Sequence, residues 1–199
     1  TGAKRFESIG IESTEINRNK YRDMLFTTPG IEEFISGVIL FDETLRQSTI
    51  KEGIPFPEYL KNLGVFVGIK VDKGAKILAS HKDEKVTEGL DGLRERLDEY
   101  YKLGARFAKW RSVITIGEGI PTDACIHVNA HALARYAALC QEANIVPIVE
   151  PEVLMDGNHS IELCYDISCK AFTKVFEELK KQHVYLEGIV LKPNMIVSA

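Results

Sequence analysis

Four stretches of the chain carry polar residues two positions apart: Lys70 with Asp72, Lys109 with Arg111, Glu150 with Glu152, and Lys192 with Asn194. The last pair is the anomaly. Residues 186–195 read as a short, buried, apolar strand that runs into Lys192 and is stopped by Pro193. A lysine at the mouth of an apolar strand must either pair with a carboxylate or lose its proton. The neutral amine attacks carbonyl carbon, and the product is a Schiff base. Taken alone, Lys192 would simply cap its strand and point into water. The other pairs supply what the chemistry needs: four cations (Lys70, Lys109, Arg111, Lys192) and three anions (Asp72, Glu150, Glu152). The excess of cation suits a substrate bearing phosphate, and an ammonium such as that of Lys109 favours a neutral neighbouring amine. As interstrand salt bridges, the same residues would only fill a layer of a barrel.

The elements that must position these groups alternate. Residues 12–27 predict an amphipathic helix with Ile16, Tyr21, Met24 and Leu25 among charges, and residues 37–41 a strand covered on both faces. Residues 55–63 predict a short helix closed by Gly64, and residues 65–72 the next strand. Asp91 is placed to cap a helix whose Leu93, Leu97, Tyr100 and Tyr101 share a face, with Gly104 as its stop. After the strand at 107–111, Asp123 is placed to cap a long helix lined by Ile126, Ala130, Leu133 and Ala137 and ended by Asn144. Residues 145–152 are strand, residues 159–182 are helix with Ile167, Ala171, Val175 and Leu179 in phase, and the Lys192 strand comes last. No hairpin signal interrupts the later elements, so the order argues for parallel βα units.

Residues i and i+2 of a strand face the same way. An open doubly wound sheet has helices on both faces, and four such pairs would strand charges under apolar packing at several kcal/mol each. A closed barrel brings them together at one wet, concave end instead. The expectation is a (β/α)8 TIM barrel with its site among these residues, the chain forming a single domain over 1–199.

At 199 residues and 45% hydrophobic, the chain can bury a sizeable core, and nothing in it suggests disorder or a membrane span. A net charge of −4 with dispersed lysines and arginines leaves no footprint for nucleic acid or an acidic membrane. Cys125, Cys140, Cys164 and Cys169 form no C-x-x-C pair and read as reduced thiols on helices. His127 and His131 stand at the spacing that lets two imidazoles share a metal, but no third ligand accompanies them, and they read as helix-face residues. Trp110 reads as core and residues 117–119 as a loop. Lys4 and Arg5 either bind phosphate or form an ordinary solvated pair.

With these residues in place, the chain resembles class I fructose-1,6-bisphosphate aldolase across nearly its whole length. The matching segments are GVILFDETL, GIKVDKG, GLDGL, FAKWR, LARYA, IVPIVEPE and YLEGIVLKPNM, in the family's order. The resemblance implies metal-free, cofactor-free, reversible cleavage of fructose 1,6-bisphosphate into dihydroxyacetone phosphate and glyceraldehyde 3-phosphate. It implies that Lys192 is the Schiff-base lysine, Glu150 the general acid/base and Lys109 a catalytic neighbour, with Glu152 supporting them. Lys70, Arg111 and Asp72 then belong to the substrate site, and Arg5 matches a phosphate ligand. It further implies a cytoplasmic homotetramer, with actin or a cytoskeletal adaptor as a further partner. The rival reading is a non-catalytic scaffold, and a metal-dependent aldolase would need histidines that only His127 and His131 begin to supply.

The family's first barrel strand ends in an aspartate within A-D-E-S-T-G, whereas this chain opens on Thr1-Gly2. Thr1 is either the hydroxyl residue just before Lys4-Arg5 or the tail of that motif. The chain accordingly is expected to carry strands 2 to 6 of the barrel, with the last two strands beyond it, and to turn over little as a 199-residue piece.

Overall fold

The computed structural model describes residues 2–199, so both readings of Thr1 fall outside the described residues. Two helices, α1 (Gly2–Glu7) and α2 (Glu15–Phe26), precede β1 (Gly37–Leu40). The short helices α3 (Asp42–Leu45) and α4 (Phe56–Asn62) lead to β2 (Phe66–Lys70). After β3 (Ala75–Ile77) and β4 (Lys85–Thr87) come α5 (Leu93–Lys102), β5 (Phe107–Ile114), α6 (Asp123–Glu142), β6 (Val146–Val153), α7 (Ile161–Lys181) and β7 (Val190–Leu191). Strands β1, β2, β5, β6 and β7 form one all-parallel sheet in that order. This is the strand–helix alternation of a (β/α) barrel, with five strands present.

Alternation along the strands divides the sheet into two unlike faces. One face carries Leu40, Val67, Ile69, Ala108, Trp110 and Val149, all buried against helices, with α4 on β2, α6 on β5 and β6, and α7 on β6. The other face has no such cover: Ile39, Phe66, Val146 and Val190 are exposed on it. Among the described residues helices therefore line only one side, and the charged pairs lie on the second face. Near its N-terminal end the bare face is floored by the Phe107 ring, which lies where a Cβ on Gly68 would be, at 2.2 Å, and 3.1 Å from one on Gly37.

Several local expectations need correction. Stripe residues Ile16, Met24 and Leu25 of α2 are exposed, and Phe26 is the helix's buried residue. Strand β1 is covered on one face only, with Ile39 46% exposed, and the Lys192 strand is not buried, with Val190 49% exposed. The cap of α6 is Thr122, whose hydroxyl accepts from Cys125 N, and α5 starts after Gly92 in the left-handed region rather than at Asp91. Strand β5 runs to Ile114, three residues past Arg111, so that pair lies within its strand.

The largest difference is the antiparallel hairpin of β3 and β4, paired from Ala75↔Thr87 to Ile77↔Lys85. No Asn-Gly or Gly-Gly turn announces it; Ser80 and Asp83 take the left-handed backbone instead. The hairpin is pinned to α6. Buried Glu84 accepts from Thr122 N and Thr122 Oγ1, both at 2.7 Å, while Asn129 accepts from Thr87 N and donates to Lys85 O. Thr87 Oγ1 in turn donates to Arg111 O at 2.9 Å, tying the hairpin to β5.

All four cysteines are free and helical, three of them buried and Cys169 exposed. Burial, with Glu84 nearby, pushes the Cys125 thiol up to about 11, and burial raises the Cys140 thiol further. Among the described residues no helix is long and apolar enough to cross a membrane, and no group of three or more His, Cys, Asp or Glu is placed to hold a metal ion.

Helices α6 and α7 meet at a charge cluster that the two histidines alone did not reveal. Glu178, buried on α7, accepts from Lys181 Nζ at 2.7 Å, and His131 Nδ1 and His127 Nδ1 of α6 stand 3.6 and 3.9 Å from its oxygens. The Lys181 ammonium, helped by the two imidazoles and opposed by burial, holds the Glu178 carboxyl below its ordinary value of 4.5. A carboxyl depressed in the folded state stabilises it at pH values above the ordinary one, and that contribution is lost as pH falls through the depressed value.

Two outcomes are expected. Glu178→Gln should lower thermal stability at neutral pH, with the difference from the parent vanishing as pH falls through the depressed value of the carboxyl; a pH-independent difference would show that the charge contributes nothing. Gly68→Ala should cost about 1–3 kcal/mol by displacing the Phe107 ring. In a double-mutant cycle by urea unfolding the same change should cost far less alongside Phe107→Ala, and equal losses in both backgrounds would rule out the ring as the obstacle.

Candidate active site

The strand register places the charged pairs side by side on the uncovered face. Lys70 stands opposite Lys109, Arg111 opposite Glu150, and Leu191, just before Lys192, opposite Val149. Lys192 N donates to Val149 O at 2.9 Å, so the ladder reaches the lysine itself. Glu150 is the centre of the group. It is 3% exposed, its Oε1 accepts from Lys192 Nζ, and its Oε2 lies 3.0 Å from Lys109 Nζ. The second contact is an ion pair whose angle falls short of a hydrogen bond. One buried carboxylate therefore holds two ammonium groups on two different neighbouring strands.

The remaining charges are matched one to one. Lys70 Nζ donates to Asp72 Oδ1 at 2.6 Å and to Asp72 O at 2.8 Å. Asp72 is buried, and its carboxylate also accepts from Gly74 N at 3.0 Å and from Arg111 N at 3.5 Å. With those bonds made, Asp72 fixes Lys70 and the Arg111 backbone rather than offering a free carboxylate. The Lys70 ammonium stands 5.7 Å from the centre of the Phe41 ring, within cation–π range. Arg111 Nε donates to Glu152 Oε2 across β5 and β6. After these pairings the one positive charge in excess resides at Glu150, shared between Lys109 and Lys192.

The two lysines differ in access. The Lys109 side chain is 18% exposed and the Lys192 side chain 58%. Of the two, Lys192 is the one a solute meets first. The arrangement can move a proton between amine and carboxylate at contact distance, expose the resulting amine to a carbonyl carbon, and keep a second cation beside the carboxylate.

Arg5 stands differently. It lies on exposed α1, which packs on α2 through Phe6 and Tyr21, and it makes no hydrogen bond or ion pair with the cluster. His127 and His131 sit on the helical side of the sheet with Glu178, away from the charged face. Asn194, noted at first only as the partner of Lys192 in spacing, makes side-chain bonds to β6 and α7. Its place directly after the Lys192-Pro193 step was the available signal.

Three comparisons bear on what this face belongs to. The sequence model of the glycolytic class-I fructose-bisphosphate aldolases matches residues 1–199. A probable fructose-bisphosphate aldolase class 1 from Xanthomonas campestris pv. campestris is 60% identical over 198 residues, covering 100% of this chain and 59% of the relative. Fructose-bisphosphate aldolase 4, cytosolic, from Arabidopsis thaliana is 52% identical over 98% of this chain and 50% of its own length. In structure, the chain superposes on fructose-bisphosphate aldolase from Plasmodium falciparum, solved with TRAP and a small-molecule inhibitor. The TM-score is 0.96 at 52% identity, over 100% of this chain and 58% of that one. The chain thus spans between half and three fifths of the length of these relatives. Sequence, register and superposition agree, and the chain belongs to the class-I fructose-bisphosphate aldolase family.

Proposed function

We propose that the full-length protein carrying this chain cleaves fructose 1,6-bisphosphate reversibly into dihydroxyacetone phosphate and glyceraldehyde 3-phosphate through a Schiff base on Lys192. The observation that carries the reading is the buried carboxylate of Glu150 shared by the Lys109 and Lys192 ammonium groups. Cleaving a carbon–carbon bond next to a carbonyl leaves an electron pair on the α-carbon, and a protonated imine accepts that pair far better than a ketone does. Lys192 Nζ passes a proton to Glu150, and the free amine attacks the ketone carbon to give a carbinolamine. Its hydroxyl leaves as water on taking the proton back from Glu150, and the protonated imine remains. A carboxylate then removes the proton of the C4 hydroxyl, the C3–C4 bond breaks, and the aldehyde departs while the electron pair enters the imine to form an enamine. Protonation of the enamine at C3 and hydrolysis of the imine release dihydroxyacetone phosphate and restore Lys192.

Lys109 has a separate task in this scheme. Held against Glu150, it neutralises negative charge as the carboxylate loses its proton, and Glu152 keeps Arg111 in place. Lys70 and Arg111 lie on the same face and serve the substrate phosphates, with Asp72 fixing Lys70 and Arg5 as a further phosphate ligand contributed from α1. The cytoplasmic location belongs to the same reading, as does assembly into a homotetramer with a cytoskeletal partner. The Arabidopsis relative is named cytosolic, and α7 leaves Tyr165 and Phe176 exposed on its outer side, where contact between copies would bury them.

Borohydride added with dihydroxyacetone phosphate should attach the substrate irreversibly to Lys192, as read by peptide mapping. Lys192→Ala should abolish that label, whereas Glu150→Gln should keep the nucleophile and slow imine formation by about 10²- to 10⁴-fold. An adduct on Lys70 or Lys109, or none in an active enzyme, would sink the assignment. Arg111→Ala and Lys70→Ala should impair a phosphorylated substrate more than a phosphate-free analogue, and equal losses on both would reject their phosphate-directed role.

A further inference from the structure

We propose that Asn194, braced by Ser168, is the positioning residue that holds Lys192 in register with Glu150. The inference rests on the Schiff-base reading of Lys192 and adds to it the device that aims the amine. It begins with a gap in the sheet. The β6–β7 register runs Ile148↔Val190 and Val149↔Leu191, and its continuation by two residues would bring Pro151 level with Pro193. Neither proline ring nitrogen carries a proton, so no rung can be donated by either residue there. The main-chain ladder accordingly stops at the bond from Lys192 N to Val149 O, on the N-terminal side of the reactive side chain.

Beyond the gap the amide of Asn194 takes over. Its Oδ1 accepts from Val153 N at 3.3 Å, in the place a strand carbonyl would occupy had the ladder continued. Its Nδ2 donates to Ser168 Oγ at 3.1 Å and to Met195 O at 3.0 Å. Ser168 is 1% exposed on α7, so the amide is anchored to a buried side chain. One side chain therefore joins the end of β6, the middle of α7 and the segment carrying Lys192. Only an amide suits: it must accept from one neighbour and donate to two. Farther along, Ile196 packs beside Ile167 against a second small core of Ile114, Ile116, Val153, Cys164 and Ala171. That packing anchors the segment four residues past Lys192, too far to set the direction of the lysine by itself.

Asn194 itself bonds neither Lys192 nor Glu150, so it acts through the backbone. A shift of about 1 Å in the Lys192 main chain breaks the contact of Nζ with Glu150, and misplacement on that scale costs about 100-fold in rate. The test uses the full-length protein. Asn194→Ala should lower kcat about 10- to 100-fold with KM little changed, and should slow borohydride trapping per folded molecule in proportion, the label remaining on Lys192. Ser168→Ala leaves Asn194 in place and removes one brace, so it should show the same split in weaker form, about three- to tenfold. The double variant should be little worse than Asn194→Ala alone. A parental trapping rate in folded Asn194→Ala, or a loss confined to thermal stability, would overturn the inference while leaving Lys192 as the nucleophile. Trapping that persists in Lys192→Ala would overturn both.

Discussion

A carboxylate that is almost wholly buried must be neutralised where it stands, and in this chain two lysines from flanking strands do so for Glu150. Everything around the site serves that arrangement. Register fixes β5 against β6 over eight residue pairs, which sets Lys109 two residues below Glu150, and the single bond from Lys192 N to Val149 O brings β7 to the same level. Removing one partner of a buried ion pair costs about 3–5 kcal/mol because the survivor is left unpaired. The half-exposed Lys192 makes its share smaller, since water screens it. Lys109 is thus the main structural counter-ion. Lys192 is the one that can leave.

The division of labour between the faces follows from the same alternation. Residues of one parity, from Leu40 through Trp110 to Val149, disappear under helices and supply the packing that makes the sheet rigid. Residues of the other parity carry the charged cluster around Glu150. A charged side chain on the first set would be stranded under α6 or α7, and an apolar one on the second gains no cover from this span. The hairpin of β3 and β4 belongs to the second system although it lies outside the sheet, because Thr87 holds the carbonyl of Arg111 and Asp72 holds its amide.

Much of this was legible in the sequence for a physical reason. Period-two spacing of like-sided charges cannot be reconciled with two covered faces, so Lys109, Arg111, Glu150 and Glu152 alone pointed to a barrel end and to each other. What escaped notice depended on partners distant in the chain. Glu84 and Asn129 fasten the hairpin to α6, yet neither strand of it exceeds three residues and its turn uses Ser80 and Asp83 where glycines would have been a signal. Glu178 is one acid among many on α7 until His127 and His131 are seen across from it. Asp91 and Asp123 were plausible caps, one residue out in each case, because Thr122 and the left-handed Gly92 start those helices instead. The exposure of Ile16, Met24 and Leu25 could not be read from their spacing, which records which residues share a face and not whether anything covers it.

The distribution of sulfur has a practical side. Thiol reagents select for exposure and for thiolate, and Cys125, Cys140 and Cys164 are buried, the first two also held in the protonated form by their surroundings. Cys169 is the exposed thiol. It sits on α7, across the sheet from Lys192. Among the described residues it is the one exposed thiol, on the face of α7 that also shows Tyr165 and Phe176, so a fluorophore or spin label attached there reports whether that face is covered.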